Sequence, residues 1–195
     1  MTEEPEHYFT KKPRTDYSLY LVADSSSCPP DRFLHQIEQA VLGGVSIVQL
    51  RGENIGSLEF YNLAKEVSAF LKNHRNTTGR KIPFIIYDRL DIALAVDCDG
   101  LHIGPEGLPV DVCRRFLGYD KILGVSVYSV EEALRAERNG ADYLEVEISL
   151  GILREIKNVV SVPVVVFGNI SADTLLLLLG LEDDRIVIGS ATIEK

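Results

Sequence analysis

The segment from residue 84 to residue 104 reads FIIYDRLDIALAVDCDGLHIG and contains two short apolar runs on either side of a helical turn or two. Each run is about four residues long, too short for a helix, and lacks polar alternation. Such runs are typical of strands buried on both faces of a parallel sheet that helices cover. Asp88, Arg89 and Asp91 follow the first run directly. Because βα folds build their sites at the carboxyl ends of strands, the segment predicts both a fold and a location for chemistry.

The same order of strand, loop and helix recurs along the rest of the chain. Eight apolar runs qualify as strands, and each but the last precedes a predicted helix. These predicted strands are 19–23, 46–50, 84–87, 101–103, 123–127, 143–146, 164–167 and 186–188. Eight right-handed βα units close naturally into a (β/α)8 TIM barrel, an α/β fold. An open, doubly wound sheet is the alternative, and the sequence ends at Lys195 without an eighth helix.

Length and charge limit the classes of protein that the chain can represent. Its 195 residues suit one domain. We expect that domain at residues 18–195, after a polar N-terminal arm at residues 1–17. The formal net charge of -9 disfavours nucleic acid or an anionic membrane as the main partner, although a local anion pocket remains compatible with it. The sequence leaves open whether the chain forms a homo-oligomer.

The cysteines and the apolar runs indicate a cytoplasmic location. Cys28, Cys98 and Cys113 form no CxxC pair, their number is odd, and no apolar signal segment precedes them. We therefore expect reduced thiols in a reducing compartment. No run approaches the roughly 20 apolar residues of a membrane span.

A set of ordered segments resembles the thiamine phosphate synthase family and its TenI-like relatives, which are small (β/α)8 barrels of thiamine biosynthesis. The resemblance runs from Leu19 to about Ile193, and it rests on the order and spacing of the segments together. They are LYLVAD at 19–24, GGVSIVQLR at 43–51, DRLDIALA at 88–95, DGLHIG at 99–104, GVSV at 124–127, EEALRAE at 131–137, GADYL at 140–144 and VVVFGNI at 164–170.

The resemblance implies a transferase that couples hydroxymethylpyrimidine diphosphate to a thiazole phosphate and releases pyrophosphate. The departing diphosphate has to be neutralised, which calls for Mg²⁺ held by carboxylates and for cationic side chains. Backbone N–H groups are expected to bind the second phosphate. Phosphorylated small molecules are therefore the expected partners.

Four residues match family positions that contact the pyrimidine diphosphate or its metal. Gln49 and Arg51 lie two apart at the end of the second predicted strand, so their side chains point the same way. The resemblance implies that Arg51 binds the diphosphate as a catalytic residue and that Gln49 bonds the pyrimidine. It makes Asp88 a catalytic residue and magnesium ligand, and Ser126, at the end of the fifth strand, a substrate contact.

Each of these residues also has a structural interpretation. Arg51 could pair with a neighbouring acid such as Glu53 or Asp24. Asp88 could be a helix N-cap, a position that aspartate suits well. Ser126 could be a small residue that packs against the barrel.

Two loops that follow the seventh and eighth predicted strands contain small residues. Gly168 and Asn169 follow the seventh strand, and Gly189 and Ser190 follow the eighth. Small residues let backbone N–H groups approach an anion, and barrels commonly bind phosphate at these two strands. Two such loops at neighbouring strands favour a thiazole phosphate pocket, whereas either loop alone could be only a tight turn.

Three positions depart from the family pattern where chemistry is expected. Glu53 stands in place of a lysine, so a carboxylate replaces an ammonium group near the diphosphate. Tyr87 replaces an asparagine before Asp88. Gly107 replaces a second magnesium-binding aspartate, one position from Glu106. Asp88 alone would be a poor magnesium site, since this ion normally draws on one or two carboxylates plus substrate phosphates.

The end of the sixth predicted strand also departs from the family. Glu145 and Glu147 stand at glycine positions, and the family's long loop with threonine and lysine does not follow. Either the chain has lost this loop, or the sequence in hand omits a lid of about a dozen residues near 147–148, an explanation that the absent eighth helix also fits.

These departures keep two further functions open. One is a catalytically impaired barrel that binds a phosphorylated ligand. The other is a TenI-like thiazole tautomerase, but Tyr128 stands where these relatives have a histidine and is a poor base near pH 7. His102 lies in the middle of a predicted strand, which favours a packed, hydrogen-bonded core residue.

Overall fold

The structure, a computed structural model, describes residues 15–26, 29–147, 150–168, 186–188 and 191–192. Its strands are β1 (Tyr20–Asp24), β2 (Ile47–Arg51), β3 (Phe84–Tyr87), β4 (Gly100–Ile103), β5 (Ile122–Ser126), β6 (Tyr143–Glu147), β7 (Val164–Phe167), β8 (Ile186–Ile188) and β9 (Ala191–Thr192). Its helices are α1 (Pro30–Leu42), α2 (Ser57–Thr78), α3 (Leu90–Ala95), α4 (Val110–Leu117), α5 (Val130–Arg138) and α6 (Leu150–Val159).

The strands form one parallel sheet in the order β8-β7-β6-β5-β4-β3-β2-β1-β9. All eight predicted strands are present, and their ends agree with the prediction to within one residue. The prediction of an α/β fold with a helix-covered parallel sheet is therefore confirmed. A doubly wound sheet contains a point at which the order of the strands reverses. Here β1 to β8 follow one another across the sheet in chain order, so the doubly wound alternative is wrong. The helix predicted to follow the seventh strand, at residues 172–179, lies outside the described residues.

The sheet is strongly curled. Tyr20 on β1 and Tyr143 on β6 are separated by four strands in the sheet order, yet their hydroxyl oxygens lie only 2.7 Å apart. Side chains on the concave side form a cluster of their own, which we call the interior cluster. Its buried members are Tyr17, Tyr20, Val22, Ile47, Ile85, Tyr143 and Val165.

A second, larger core lies between the convex side of the sheet and the helices. Helix α1 contributes Phe33, Ile37 and Val41, whose spacing of four residues places them on one face. Most strands bury the side chains on both of their faces. Their sequences are therefore continuous apolar runs rather than alternating ones. Cys98 and Cys113 are buried free thiols in this core, and burial raises the pKa of each to about 11.

The structure describes only part of the expected N-terminal arm and of the segment after β6. Residues 1–14 of the N-terminal arm and residues 148–149 after β6 lie outside the described ranges, so the division into arm and domain stays a prediction. Tyr17 is already buried, with its ring centroid 4.9 Å from that of Tyr143. No helix in the described part of the chain is long and apolar enough to cross a membrane.

One buried arginine forms hydrogen bonds at the amino ends of both β5 and β6. Arg114 on α4 is 3% exposed, and its guanidinium donates to the carbonyl oxygens of Gly118, Lys121 and Gly140. It also donates to Asp142 Oδ2 at 2.7 Å. The same Asp142 oxygen accepts from the backbone N–H that opens the body of β5, at Leu123. This pair therefore fixes the end of the sheet opposite the functional residues.

We expect Arg114→Ala to lower the free energy of unfolding by about 3 kcal/mol or more, because it leaves carbonyls and a carboxylate without their donor. Arg115→Ala, at an exposed neighbouring position, should change it by less than about 0.5 kcal/mol. Urea denaturation of both variants measures the difference. Equal losses in the two variants would contradict the assigned role of Arg114.

Candidate active site

The carboxyl ends of β2 to β6 bring the predicted residues together on the concave side. Gln49 is fully buried, and Arg51 lies at the end of the same strand. The Arg51 Nε donates to Gln49 Oε1 at 2.7 Å, and its guanidinium carbon lies 4.2 Å above the Tyr87 ring. Because one nitrogen and one face of the guanidinium are held, Arg51 has a fixed orientation. The acid that approaches it is Glu145, with Oε2 at 3.7 Å from Nη2.

Tyr87 contributes an aromatic ring that packs between Arg51 and His102. Its ring stacks on the His102 imidazole, with centroids 5.7 Å apart and planes 13° apart. The Tyr87 hydroxyl occupies the space that a Cβ would need at Gly104, so glycine is required there. Burial, followed by the charge of Asp88, raises the pKa of Tyr87 to about 12. Tyr87 is therefore a neutral ring between Arg51 and His102.

His102, Ser126 and Glu145 meet at the centre of the concave side. His102 Nε2 lies 2.9 Å from both Ser126 Oγ and Glu145 Oε2, and the Ser126 hydroxyl donates to the same Glu145 oxygen at 3.1 Å. His102 is fully buried, as predicted, and Glu145 is only 2% exposed. Burial acts to raise the pKa of Glu145, but the His102 imidazole, then Arg51 and Ser126, outweigh it and hold that pKa below its usual value.

Two tyrosines connect this centre to Gln49. Gln49 Nε2 donates to the Tyr20 hydroxyl at 2.9 Å, and the Tyr20 and Tyr143 hydroxyls are hydrogen-bonded to each other. The Tyr143 hydroxyl lies 2.8 Å from His102 Nδ1. Gly124 on the neighbouring strand permits this arrangement, because a Cβ there would overlap the Tyr143 ring. Sequence analysis did not assign Tyr20, Tyr143 or Glu145 to the site.

Asp88 lies in the loop after β3, with a positive φ of 54° that aspartate tolerates better than most residues. Its Oδ1 accepts from the Gly104 N–H at 2.7 Å, and its own N–H donates to the His102 carbonyl. The N-cap of α3 is Arg89, so the interpretation of Asp88 as a helix cap is wrong. Arg89 and Asp91 form an ion pair at 2.7 Å in the first turn of α3.

The cavity beside Asp88 has room for a magnesium ion but offers few protein ligands for it. A cavity of about 440 Å³ is lined by Asp88 together with Glu53 and Glu106. A Cβ at Gly107 would come within 2.5 Å of Asp88 Oδ1, so an aspartate would not fit there without movement of Asp88. Within the described ranges, no three His, Cys, Asp or Glu side chains are grouped closely enough to hold a metal. A magnesium ion beside Asp88 would therefore have at most two protein carboxylates and depend on substrate phosphates for its other ligands.

Of the predicted phosphate-binding residues, only Gly168 lies in the described part of the chain. It follows β7 with a φ of 129°, a conformation that favours glycine. Asn169, Gly189 and Ser190 lie outside the described residues. Their role stays a prediction.

Comparison with known proteins adds a decisive observation to this geometry. The family model described as thiamine monophosphate synthase matches residues 19–192. The chain belongs to the thiamine monophosphate synthase family. The resemblance noted from the sequence is thereby confirmed.

Members of the thiamine monophosphate synthase family match this chain over nearly its whole length. The thiamine-phosphate synthase of Clostridium beijerinckii is 42% identical, over 94% of this chain and 91% of its own. That of Caldanaerobacter subterraneus subsp. tengcongensis is 44% identical, over 81% and 77%. The solved thiamine phosphate pyrophosphorylase of Pyrococcus furiosus superposes with a TM-score of 0.76 at 32% identity, covering 90% of this chain and 85% of its own.

A more distant structural neighbour shares only the fold. The N-acetylmannosamine-6-phosphate 2-epimerase of Clostridium perfringens has a TM-score of 0.63 at 18% identity, covering 97% of this chain and 92% of its own. Both neighbours support the assignment of the curled parallel sheet.

We expect Tyr143→Phe to lower the free energy of unfolding by about 1–3 kcal/mol, because it leaves the buried Tyr20 hydroxyl without its acceptor. Tyr61→Phe is the matched control: the Tyr61 hydroxyl forms no recorded hydrogen bond within the described residues, and a change below about 0.5 kcal/mol is expected. Urea unfolding at pH 7 makes the comparison. Indistinguishable variants would show that the interior hydroxyl bond contributes nothing to stability.

Proposed function

We propose that this protein is a thiamine phosphate synthase, which couples hydroxymethylpyrimidine diphosphate to a thiazole phosphate. The observation that carries the proposal is the oriented Arg51 guanidinium at the carboxyl end of the sheet, held by Gln49 and Tyr87 beside Ser126. Relatives at about 40% identity bear this activity in their names, and the match covers most of each chain.

In this reaction the bond between the pyrimidine methylene and the diphosphate breaks, and the electron pair leaves with the diphosphate. The thiazole phosphate supplies the pair for the new bond. Arg51 neutralises charge that develops on the departing diphosphate, where a fixed cation is most effective. Gln49 and Ser126 contact the pyrimidine. Their preset positions hold the ring in line for attack.

The proposal includes a magnesium ion beside Asp88. When bound, magnesium would neutralise the diphosphate as a Lewis acid. The cavity that Asp88 lines with Glu53, Glu106 and Arg89 supports this assignment. Its three carboxylates outnumber the one guanidinium, so they disfavour an anionic substrate that arrives without a cation. The substitutions at Glu53, Tyr87 and Gly107 thus alter the surroundings of the diphosphate without removing Arg51 or Asp88.

We also infer that the sheet closes into an eight-stranded (β/α)8 barrel. β8 pairs with β7 and β9 pairs with β1, and only residues 189–190 separate β8 from β9. One strand with a short interruption would therefore join the two edges of the sheet. Gly189 and Ser190 fall at this interruption and Gly168 and Asn169 at the end of β7, which supports their assignment to the thiazole phosphate.

Two observations support a cytoplasmic location for the reaction. Phosphorylated substrates are the expected ligands, and Cys98 and Cys113 are free thiols. Free buried thiols are typical of proteins from reducing compartments.

The wild-type protein should release pyrophosphate from hydroxymethylpyrimidine diphosphate when the thiazole phosphate and magnesium are present. Arg51→Ala should lower kcat/KM by about 100-fold or more, because it removes the cation at the leaving group. Arg115→Ala removes an exposed arginine on α4 and should leave the rate unchanged. A coupled pyrophosphate assay measures all three. No release by the wild type, together with calorimetric binding of either substrate, would instead identify a binding protein.

Asp88→Asn should weaken magnesium binding by about tenfold, because it removes the carboxylate charge that is proposed to bind the ion directly. Paramagnetic Mn²⁺ titration in the presence of inorganic pyrophosphate measures this without catalysis. Asp120→Asn is the control, since Asp120 is exposed and lies outside the cavity lining. Equal affinities in Asp88→Asn and the wild type would contradict the assignment of Asp88 as a metal ligand.

A further inference from the structure

A continuous series of side-chain contacts crosses the concave side of the sheet. Each step is between 2.7 and 2.9 Å, and the two ends of the series lie 3.7 Å apart. We call it the interior relay. Its members, in order, are Arg51, Gln49, Tyr20, Tyr143, His102 and Glu145.

The direction of hydrogen bonding in the interior relay is determined at its Arg51 end. A guanidinium group can only donate, so the Gln49 atom that faces Arg51 Nε must be the amide oxygen. The amide nitrogen then faces Tyr20 and donates to its hydroxyl oxygen. Tyr20 has one hydroxyl proton left, and the Tyr143 oxygen is its recorded acceptor.

The same direction determines the tautomer of His102. Tyr143 accepts from Tyr20, so its own proton is donated to His102 Nδ1. His102 Nδ1 must therefore carry a lone pair, and the ring proton must lie on Nε2. From there it is donated towards Glu145 Oε2, with Ser126 Oγ at the same distance. The hydroxyl protons of Tyr20 and Tyr143 and the His102 Nε2 proton then each have an acceptor.

The opposite direction leaves a buried group unsatisfied. An imidazolium at His102 would donate from Nδ1 to Tyr143, and Tyr143 would then donate to Tyr20. Tyr20 would accept from both Tyr143 and Gln49, and its own proton would have no acceptor among the recorded contacts of a side chain that is 1% exposed. An unsatisfied buried hydroxyl is costly, which favours the direction of bonding that starts at Arg51.

We propose that Glu145 is a positioning residue of the active site, whose carboxylate ends the interior relay and holds both the Nε2–H tautomer of His102 and the Ser126 hydroxyl. Gln49 and Arg51, at the other end, are preset for the ligand by the same direction of bonding. Because the resemblance assigns a glycine to the position of Glu145, this device belongs to the chain itself. Its effect on the ligand rests on the proposed function, whereas the tautomer does not.

One chemical consequence concerns Ser126. With its proton on Nε2, His102 has no lone pair that could accept a proton from Ser126. The Ser126 hydroxyl donates to Glu145 instead. Ser126 is therefore a substrate contact rather than a nucleophile activated by histidine.

The tautomer is tested by nitrogen NMR of the full chain labelled with ¹⁵N-histidine at pH 7. The His102 signals, identified as those that remain when His7, His35 and His74 are replaced by glutamine, should show a protonated Nε2 and an unprotonated Nδ1. Protonation of both nitrogens, or of Nδ1 alone, in the wild-type protein would overturn the proposal. This outcome depends neither on a variant that folds poorly nor on catalysis.

The positioning role is tested with Glu145→Leu, which removes the acceptor, and Glu145→Gln, which retains an acceptor oxygen. We expect Leu to mix the His102 tautomers and to weaken calorimetric binding of hydroxymethylpyrimidine diphosphate by about tenfold, and Gln to restore binding to within about threefold. If both substrates turn over, KM should rise more than kcat falls. Glu147→Leu, two residues along the same strand and exposed, should change neither property.

Two results would overturn the positioning role. Tighter binding by Glu145→Leu would mean that the carboxylate competes with the ligand for Arg51. Equal weakening by Leu and Gln would mean that charge, and not the acceptor, matters. A wild-type protein that binds the diphosphate but releases no pyrophosphate would refute the proposed function, while the tautomer and the binding series would still decide this inference.

Discussion

The hydrogen bond between the hydroxyls of Tyr20 and Tyr143 joins two strands that four others separate in the sheet. It requires a sheet curled enough to bring β1 and β6 face to face. That curvature also brings the carboxyl ends of β2, β4, β5 and β6 within reach of one another. Because the two hydroxyls are buried, each needs further partners, and Gln49 and His102 supply them. The same hydrogen bonds therefore satisfy the buried hydroxyls of the interior and position Gln49 and His102 in the site.

The charged side chains of the site are mostly acidic. Arg51 is the cation that faces Glu145 at the centre, while Glu53, Asp88 and Glu106 line the neighbouring cavity. An anionic ligand therefore meets more negative than positive charge. Tyr87 keeps Arg51 oriented through its ring, without adding charge. Under the proposed function, this arrangement favours the magnesium complex of the diphosphate over the free anion.

Much of the fold could be predicted from the sequence because strands buried on both faces leave continuous apolar runs. The shared location of Gln49 and Arg51 could also be predicted, since side chains two residues apart on a strand lie on the same side. The partnership of Tyr20 with Tyr143 was not, because it spans 123 residues and no local pattern encodes it. β9 is two residues long, too short to produce a run. The one available signal for Glu145 was an acid in the middle of the buried strand YLEVE.

The pair of Arg51 and Glu145 bears directly on how an anion can bind. At a separation near 4 Å, opposite charges in a protein-like medium of moderate dielectric attract by about 4 kcal/mol. The guanidinium is not hydrogen-bonded to this carboxylate, since Nη2 lies 3.7 Å from Oε2, whereas Nε is bonded to Gln49. A diphosphate can therefore form direct bonds to the Nη groups without displacing Glu145 from His102 and Ser126. The carboxylate reduces the net charge that the ligand meets but leaves the Nη donors of Arg51 in place, so Arg51 can still orient an anionic group.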